Sequence, residues 1–265
     1  MKNLKSKFLS KAFLSLFFIC AFTQNGLASN SRNLTVFAEQ NMVLALTKIA
    51  RLYSQKNNVV VSINFNSSLE LLNDVDSGEP ADVFISANSA MIDSLRQKGL
   101  IDVYNVSYIA RDKLVLVTSK NNTNIDGRLL KKDISLSEAI KILDENRATL
   151  IIDQEGSSSE KYSSELIQSL NLTGDKLSLV KKLKEDKASI LNSLKESPDH
   201  FVMVVSSQIK NRQDLAILSS AKEDRIFYQA LVIAGDNMEA AREFLKFLKS
   251  NTARAELRHN GFITD

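Results

Sequence analysis

Cysteine is nearly absent from this chain: its 265 residues contain one, Cys20, which lies near the N-terminus. A disulfide, a thiolate metal site and a cysteine nucleophile are therefore excluded from the rest of the chain. Lipid attachment at a cysteine requires small residues before it, whereas Phe17, Phe18 and Ile19 are bulky. Cys20 is thus interpreted as part of a cleaved segment, and the absence of cysteine elsewhere fits an oxidising compartment.

Long apolar runs are also missing, and the only candidate is a short one near the N-terminus. Residues 1–28 combine a basic start, an apolar stretch from Ala12 to Phe22 and the small-x-small sequence Gly26-Leu27-Ala28, as a secretory signal does. An apolar stretch of this length is too short to span a bilayer, which needs about 20 residues. We therefore expect cleavage after Ala28 and a soluble mature protein. The basic start consists of Lys2, Lys5, Lys7 and Lys11.

Little net charge remains once this segment is removed. Because it carries four lysines and no acidic residue, Lys+Arg falls from 34 to 30 against 31 Asp+Glu. The formal charge therefore changes from +3 to −1. This balance gives no support for nucleic-acid binding.

The sequence lacks the motifs of common catalytic and nucleotide-binding sites. No G-x-S-x-G, Walker or G-x-G-x-x-G pattern occurs, and the serines have no evident base. The two histidines, His200 and His259, have no partner at metal-ligand spacing. Asp82, just ahead of an apolar run, is interpreted as a structural acid. We therefore expect no enzyme, no cofactor and no metal held by side chains.

Apolar runs of strand length alternate with segments of helical periodicity after residue 30. This alternation indicates βαβ units with mainly parallel sheets flanked by helices, an α/β fold. The predicted strands are Leu34–Ala38, Val59–Phe65, Val83–Ser86, Leu114–Thr118, Leu150–Asp153, Phe201–Val205 and Gln229–Ala234. The predicted helices include one after Met42, then Ser68–Asp76, Ala90–Lys98, Leu136–Asp144, Lys161–Leu170 and Ala188–Lys195, with two more at the C-terminal end. Lys181, Lys182 and Lys184 are interpreted as a solvated helix or loop face.

Two of the predicted strands, Leu114–Thr118 and Gln229–Ala234, are interpreted as the segments that cross between two lobes. The expected first lobe comprises residues 30–112 and 236–265, and the second comprises residues 113–235. Ligands of open α/β sheets bind beyond the carboxyl ends of the strands. The cleft between the lobes is therefore the expected binding site.

Two of the helix starts carry the same S-x-x-E pattern. In Ser67–Glu70 and in Ser157–Glu160, the serine is predicted to cap the helix and the glutamate to reach back to the cap amide. These motifs can serve only to begin helices. Alternatively, their unpaired amides and serine hydroxyls form an anion site that needs no positive charge. A dianion between two such starts would receive several charge-assisted hydrogen bonds.

The segments Leu34–Met42 (LTVFAEQNM) and Gly78–Ala87 (GEPADVFISA) resemble the periplasmic molybdate-binding proteins of bacterial ABC transporters. The similarity covers nearly the whole chain after residue 30, and it is weaker in the middle. It implies a two-lobed periplasmic binding protein fold of type II. It further implies a monomeric solute-binding protein that captures molybdate or tungstate and delivers it to an ABC permease in the inner membrane.

The resemblance places the oxyanion site at Asn41, Ser68, Ser159 and Lys187. Family members usually carry a serine where this chain has Asn41, and Ser68 matches their second serine. Ser159 and Lys187 fall at positions that donate through the backbone in the family. A tyrosine that contacts the oxyanion in many members aligns with Val205.

Other departures from the family leave a different ligand open. Glu39, Glu70 and Glu160 add negative charge near an expected dianion. At about 4 Å and an effective dielectric constant near 20, one unit pair is worth about 4 kcal/mol, which the side chain of Lys187 could partly offset. The loop 153–162 keeps a glycine and a tyrosine but lacks the two prolines of the family. The alternative is the same fold with another small anion or a polar organic solute.

Two further classes of protein are less well supported. A two-lobed enzyme such as a transferase would need a cysteine, an acid–base pair or a metal cluster. A ligand-sensing domain of a transcription regulator would need a DNA-binding helix pair and would not carry a secretory signal. Neither the catalytic groups of such an enzyme nor a DNA-binding helix pair is found in the sequence after residue 28. A secretory signal, by contrast, is present.

Overall fold

Two five-stranded sheets flanked by helices make up the computed structural model, which describes residues 32–170, 180–182, 191, 194–223 and 225–265. The expected signal segment and Lys187 lie outside the described residues. The strands are β1 Arg32–Glu39, β2 Val59–Asn66, β3 Val83–Ser86, β4 Ile101–Asp112, β5 Leu114–Ser119, β6 Leu150–Ile152, β7 Val180–Lys182, β8 Phe201–Val205, β9 Leu215–Ser220 and β10 Ile226–Ile233. The helices are α1 Val43–Asn57, α2 Ser68–Asp76, α3 Ser89–Gln97, α4 Leu136–Glu145, α5 Ser158–Ser169, α6 Met238–Leu248 and α7 Asn251–His259. The predicted α/β class is confirmed.

The two sheets follow one plan. The strand order is β2-β1-β3-β10-β4 in the first sheet and β7-β6-β8-β5-β9 in the second. β1 runs parallel to β2 and β3, and β6 runs parallel to β7 and β8. β10 and β5 are antiparallel to both of their neighbours. Four strands of each sheet therefore point the same way, so the turns that follow them gather at one edge.

Both faces of the central strands are buried, as their continuous apolar runs predict. In β1, Val36 and Ala38 belong to one apolar cluster and Phe37 belongs to another. In β8, Met203 and Val204 are divided between two clusters in the same way. Successive residues of a strand point to opposite faces, so each sheet packs on both sides. This packing fixes the strand register and with it the position of the residues at the strand ends.

The chain passes between the sheets twice. β4 of the first sheet leads directly into β5 of the second, and β9 leads back into β10 of the first. The two segments that were expected to cross, Leu114–Thr118 and Gln229–Ala234, lie in these receiving strands. One boundary changes, because residues 226–233 pair with β3 and β4 and so belong with the first sheet. We propose that the second lobe ends near residue 225 and otherwise keep the expected division.

Three strands, β4, β7 and β9, have no counterpart in the sequence prediction. All three lie at an edge of their sheet. An edge strand faces solvent along one side, so its apolar pattern is weaker than that of a central strand. The prediction of a helix or loop at Lys181 and Lys182 is therefore wrong, since both are exposed residues of β7. Helix α5 begins earlier than expected, at Ser158, and most of the expected helix Ala188–Lys195 lies outside the described residues.

The two lobes touch across the cleft. The side-chain amide of Asn88 donates to the carbonyl oxygen of Gly156 at 3.2 Å. The hydroxyl of Tyr162 donates to the carbonyl oxygen of Ala87 at 3.4 Å. Gly156 has a φ of +79°, and a Cβ placed on it would lie 2.2 Å from the Cβ of Leu69. Only glycine allows this approach, so the structure is a closed form whose contact depends on Gly156.

Gly156→Ala should force the lobes apart, because the added carbon would occupy the space of the Leu69 side chain. Gly78→Ala is the matched control, since Gly78 has a φ of +88° but nothing within 4 Å of an added Cβ. Both variants should lose about 1–2 kcal/mol through the left-handed backbone conformation. Small-angle X-ray scattering should show a larger radius of gyration for Gly156→Ala alone. Equal radii for the two variants would contradict this role of Gly156.

Candidate functional site

The strand ends of the two lobes meet at the cleft. β1, β2 and β3 are parallel, so Glu39, Asn66 and Ser86 end their strands at the same edge of the first sheet. Helix α2 begins immediately after β2, at Ser68. In the second lobe, α5 begins at Ser158, shortly after β6. The topology therefore directs one helix start from each lobe into the space between the sheets.

Both helix starts are capped by the predicted serines. The Oγ of Ser67 accepts a hydrogen bond from the amide of Glu70 at 3.2 Å, and the Oγ of Ser157 accepts one from the amide of Glu160 at 3.1 Å. The amides of the first helical residues precede the helical hydrogen-bond ladder, so they remain available to an anion.

The second half of each predicted capping box, in which the glutamate side chain accepts from the amide of the cap serine, is wrong. The amide of Ser67 donates to the Oδ1 of Asn66 at 2.9 Å, and the amide of Ser157 donates to the carbonyl oxygen of Gln154 at 3.3 Å. Glu160 instead accepts from the Nζ of Lys182 at 2.9 Å and from the Oγ of its neighbour one turn later at 2.7 Å. Because each cap amide already donates to a nearby acceptor, the glutamate side chains are free to make other contacts.

The carboxylate of Glu39 lies at the convergence of these elements. Its Oε1 accepts from the Oγ of Ser68 at 2.6 Å, from the Oγ of Ser86 at 2.7 Å and from the amide of Ala87 at 2.9 Å. Its Oε2 accepts from the Oγ of Ser158, which belongs to the opposite lobe. Four donors from three strand-to-helix turns and from both lobes are therefore directed at one carboxylate.

This carboxylate is held inside the protein by neutral groups. Glu39 is only 3% exposed, and none of the described lysines and arginines forms an ion pair with it. Hydrogen bonds from hydroxyl and amide groups to an ionised oxygen are shorter and stronger than neutral ones. The positive ends of nearby helices add to this stabilisation. The site therefore meets the chemical requirements of a buried anion without needing a neutralising cation.

Asn41 and Tyr228 lie beside the same charge. Asn41 belongs to a single 3₁₀ turn, Gln40–Met42, and its side chain donates to the hydroxyl of Tyr228 and caps no helix. Asn41 is a residue type that often caps helices, but here the turn separates it from the start of α1. Complete burial raises the pKa of Tyr228 well above its usual value, and the charges of Glu39 and Asp112 add to the effect. The phenol therefore stays neutral and keeps its proton.

Tyr162 has a comparable environment on the other lobe. Burial raises the pKa of its hydroxyl, with further contributions from the negative charges of Glu165 and Glu39. Its hydroxyl is the one that crosses the cleft to Ala87. Tyr162 is therefore a neutral donor linking the lobes next to the buried carboxylate.

The predicted oxyanion residues have different positions. Ser68 donates to Glu39, whereas Ser159 is 1% exposed and its hydroxyl has no partner within the described part of the chain. Lys187 lies outside the described residues. Val205, at the family's tyrosine position, is fully buried in an apolar cluster, and its side chain has no polar atom to offer. The binding roles of Asn41, Ser68, Ser159 and Lys187 remain predictions.

Sequence reasoning missed Ser86, Ala87 and Ser158 as partners of an anion. Ser158 lies within the run of three serines at the start of α5, so the motif indicated the region but not the residue. Ser86 ends a buried strand, and no sequence pattern distinguishes it there. Asp82 behaves as predicted, because its Oδ2 accepts from the amide of Thr35 at 2.7 Å and ties β1 to the loop before β3.

The described residues contain neither a cluster that could hold a metal nor a helix that could span a membrane. No group of three or more His, Cys, Asp or Glu side chains among them is placed to hold a metal ion. His200 lies in the turn before β8, and His259 ends α7. Within the same residues, every helix is too short or too polar to cross a membrane.

The chain resembles several known proteins. A family model for bacterial extracellular solute-binding proteins matches residues 34–263. The molybdate-binding protein ModA of Haemophilus influenzae is 28% identical over 240 residues, which cover 88% of this chain and 90% of that protein. ModA of Escherichia coli is 26% identical over 245 residues, or 91% of this chain and 93% of that protein. A solved structure described as the tungstate ABC transporter from Geobacter sulfurreducens has a TM-score of 0.70 at 16% identity, covering 86% of this chain and 98% of that one.

Ser158→Ala should destabilise the protein, because it removes a hydrogen bond between the lobes to a charged oxygen of Glu39. The expected loss is about 1.5–3 kcal/mol in the free energy of unfolding. Ser159→Ala is the matched control, since it removes a buried hydroxyl that has no partner among the described residues. Urea denaturation should show Ser159→Ala to be at least as stable as the unmodified protein. Equal losses in the two variants would contradict the assigned contact.

Proposed function

The chain belongs to the family of bacterial extracellular solute-binding proteins, and from this premise we propose that it is the periplasmic solute-binding component of an ABC transporter that captures molybdate or tungstate. It holds the oxyanion between its two lobes and delivers it to a permease in the inner membrane. The protein acts as a monomer, breaks no bond and needs no cofactor or nucleic acid. The names of its relatives, two of them molybdate-binding proteins, support this choice of ligand.

The observation that carries the proposal is the set of donors around Glu39. Two hydroxyls and one amide from the first lobe and one hydroxyl from the second point at one anionic group. Donors of this kind suit an oxyanion, whose oxygens accept hydrogen bonds and whose charge needs compensation for lost water. Because the donors come from both lobes, binding is coupled to closure of the cleft.

Closure provides the means of retaining the ligand. Water leaves the space between the lobes, and each hydrogen bond to the anion is stronger in the lower local dielectric. Discrimination among tetrahedral dianions then depends mainly on the size of the space, since their charges are alike. The neutral phenols of Tyr162 and Tyr228, whose pKa values are raised by burial, line this region without adding negative charge.

A second candidate keeps the fold and changes the ligand to a small organic anion. The donors in this structure already hold a carboxylate, that of Glu39, so their spacing suits a carboxylate group. The apolar surroundings of Val205 and the pairing of Asn41 with Tyr228 remove donors that the resemblance would assign to an oxyanion. A carboxylate-bearing solute is therefore the alternative to be tested beside the oxyanions.

The proposed ligand can be tested by calorimetry on the mature protein. Molybdate and tungstate should bind with one site per chain and more tightly than sulfate, phosphate or acetate. Ser68→Ala should weaken binding about tenfold to a hundredfold, because it removes a hydrogen bond to charge worth about 1.5–3 kcal/mol. If acetate binds and the oxyanions do not, the second candidate replaces the first. If Ser68→Ala binds as tightly as the unmodified protein, Ser68 donates to the solute no more strongly than it donates to Glu39.

The proposed export can be tested by mass spectrometry of the protein from the native host. The expected mature chain begins at Ser29, after removal of residues 1–28, and carries no lipid. It should be released by disruption of the outer membrane without detergent. An uncut N-terminus, or a lipid on Cys20, would contradict this assignment.

A further inference from the structure

Glu39 occupies the donors that the proposed function assigns to a solute. We propose that its carboxylate is a tethered internal competitor, which holds the empty cleft closed and must be displaced before an anion can bind. Glu39 thus sets the affinity that an anion must exceed in order to load the site. This inference rests on the proposed function, because the competition concerns capture of an external anion.

The contacts of the carboxylate make simultaneous occupancy unfavourable. Its Oε1 already accepts from three donors and its Oε2 from a fourth, so these groups have no proton left for a second anion. With Glu39 in place, an incoming dianion would also face a like charge inside the protein, where water screens poorly. An external anion and the carboxylate therefore exclude each other from the same donors.

The position of Glu39 also determines the state of the empty protein. Its carboxylate bonds Ser68 and Ser86 in the first lobe and Ser158 in the second. A bound oxyanion would connect the same elements, so Glu39 substitutes for it in bringing the lobes together. A cleft closed by Glu39 therefore shares these contacts with one closed by a bound oxyanion.

Displacement requires the lobes to part. A cavity of about 340 Å³ lies at the lobe contact, lined by residues that include Leu69, Asn88 and Gly156, but Glu39 is not among them. The carboxylate is buried and does not border this cavity, so it cannot move into the cavity while the cleft is closed. Opening, release of Glu39 and entry of the solute are therefore linked steps.

The consequence is a threshold on affinity. A tethered competitor lowers the apparent affinity of every external anion by the same factor, because it is present at a high effective concentration. Only anions that make more contacts than a carboxylate can then load the site at low concentration. A tetrahedral oxyanion has four acceptor oxygens, and Ser159, next to Ser158, has a buried hydroxyl without a partner among the described residues. Weakly held monoanions are excluded.

The test compares Glu39→Gln and Glu39→Ala with the unmodified protein, using calorimetry with molybdate and sulfate. Both variants should bind the two anions at least about tenfold more tightly, by similar factors, because the competing charge is gone. Glu70→Gln is the matched control, since Glu70 is an exposed glutamate in the first turn of α2. Its affinity should be close to that of the unmodified protein. Glu39→Gln keeps the shape of the side chain, so it remains informative if Glu39→Ala folds poorly.

A second readout needs no ligand. Small-angle X-ray scattering of the empty proteins should show a larger radius of gyration for Glu39→Ala than for the unmodified protein and for Glu70→Gln. If the unmodified protein binds molybdate and the Glu39 variants bind it equally or less tightly, the competitor is overturned and the proposed function stands. If none of the proteins binds either anion, the oxyanion function fails. The scattering result then decides alone. A larger radius of gyration for Glu39→Ala would support the carboxylate as the group that holds the cleft closed, and an unchanged radius would overturn this role.

Discussion

A carboxylate stays charged inside a protein only where hydrogen-bond donors replace the water it has lost. This requirement explains the arrangement of the cleft, because the donors to Glu39 come from elements that are far apart in the chain. Ser68, Ser86 and Ser158 are 29, 47 and 119 residues away from it. The sheets, the helix starts and the lobe contact all have to be in place before the charge is satisfied. Closure and charge burial are thus one event.

The topology makes this convergence possible. Four strands of each sheet point the same way, so the turns that follow them lie at one edge, and helices α2 and α5 begin there. β5 and β10 return the chain between the sheets and set the two edges face to face. The starts of α2 and α5 then each supply a capping serine and unpaired amides without a formal positive charge. A neutral site of this kind can release its ligand when the lobes open, since no ion pair has to be separated.

The sequence predicted the central strands, the amphipathic helices and the two crossings, because each follows from apolar periodicity. It missed β4, β7 and β9, since edge strands carry a mixed pattern. It also located both helix starts through their S-x-x-E motifs, but it could not predict the partner of those serines. In the sequence, Glu39 is only an added negative charge near an expected dianion. Its position within the donors depends on contacts between distant turns, which no local pattern encodes.

The most direct test is a crystal structure with tungstate, because the anomalous signal of tungsten locates the anion independently of the protein. We expect the tungstate to lie between the first turns of α2 and α5, within hydrogen-bond distance of Ser68 and Ser158, with the carboxylate of Glu39 moved away from both. Tungsten at another place, or an unmoved Glu39 that still accepts from Ser68, Ser86 and Ser158, would contradict it.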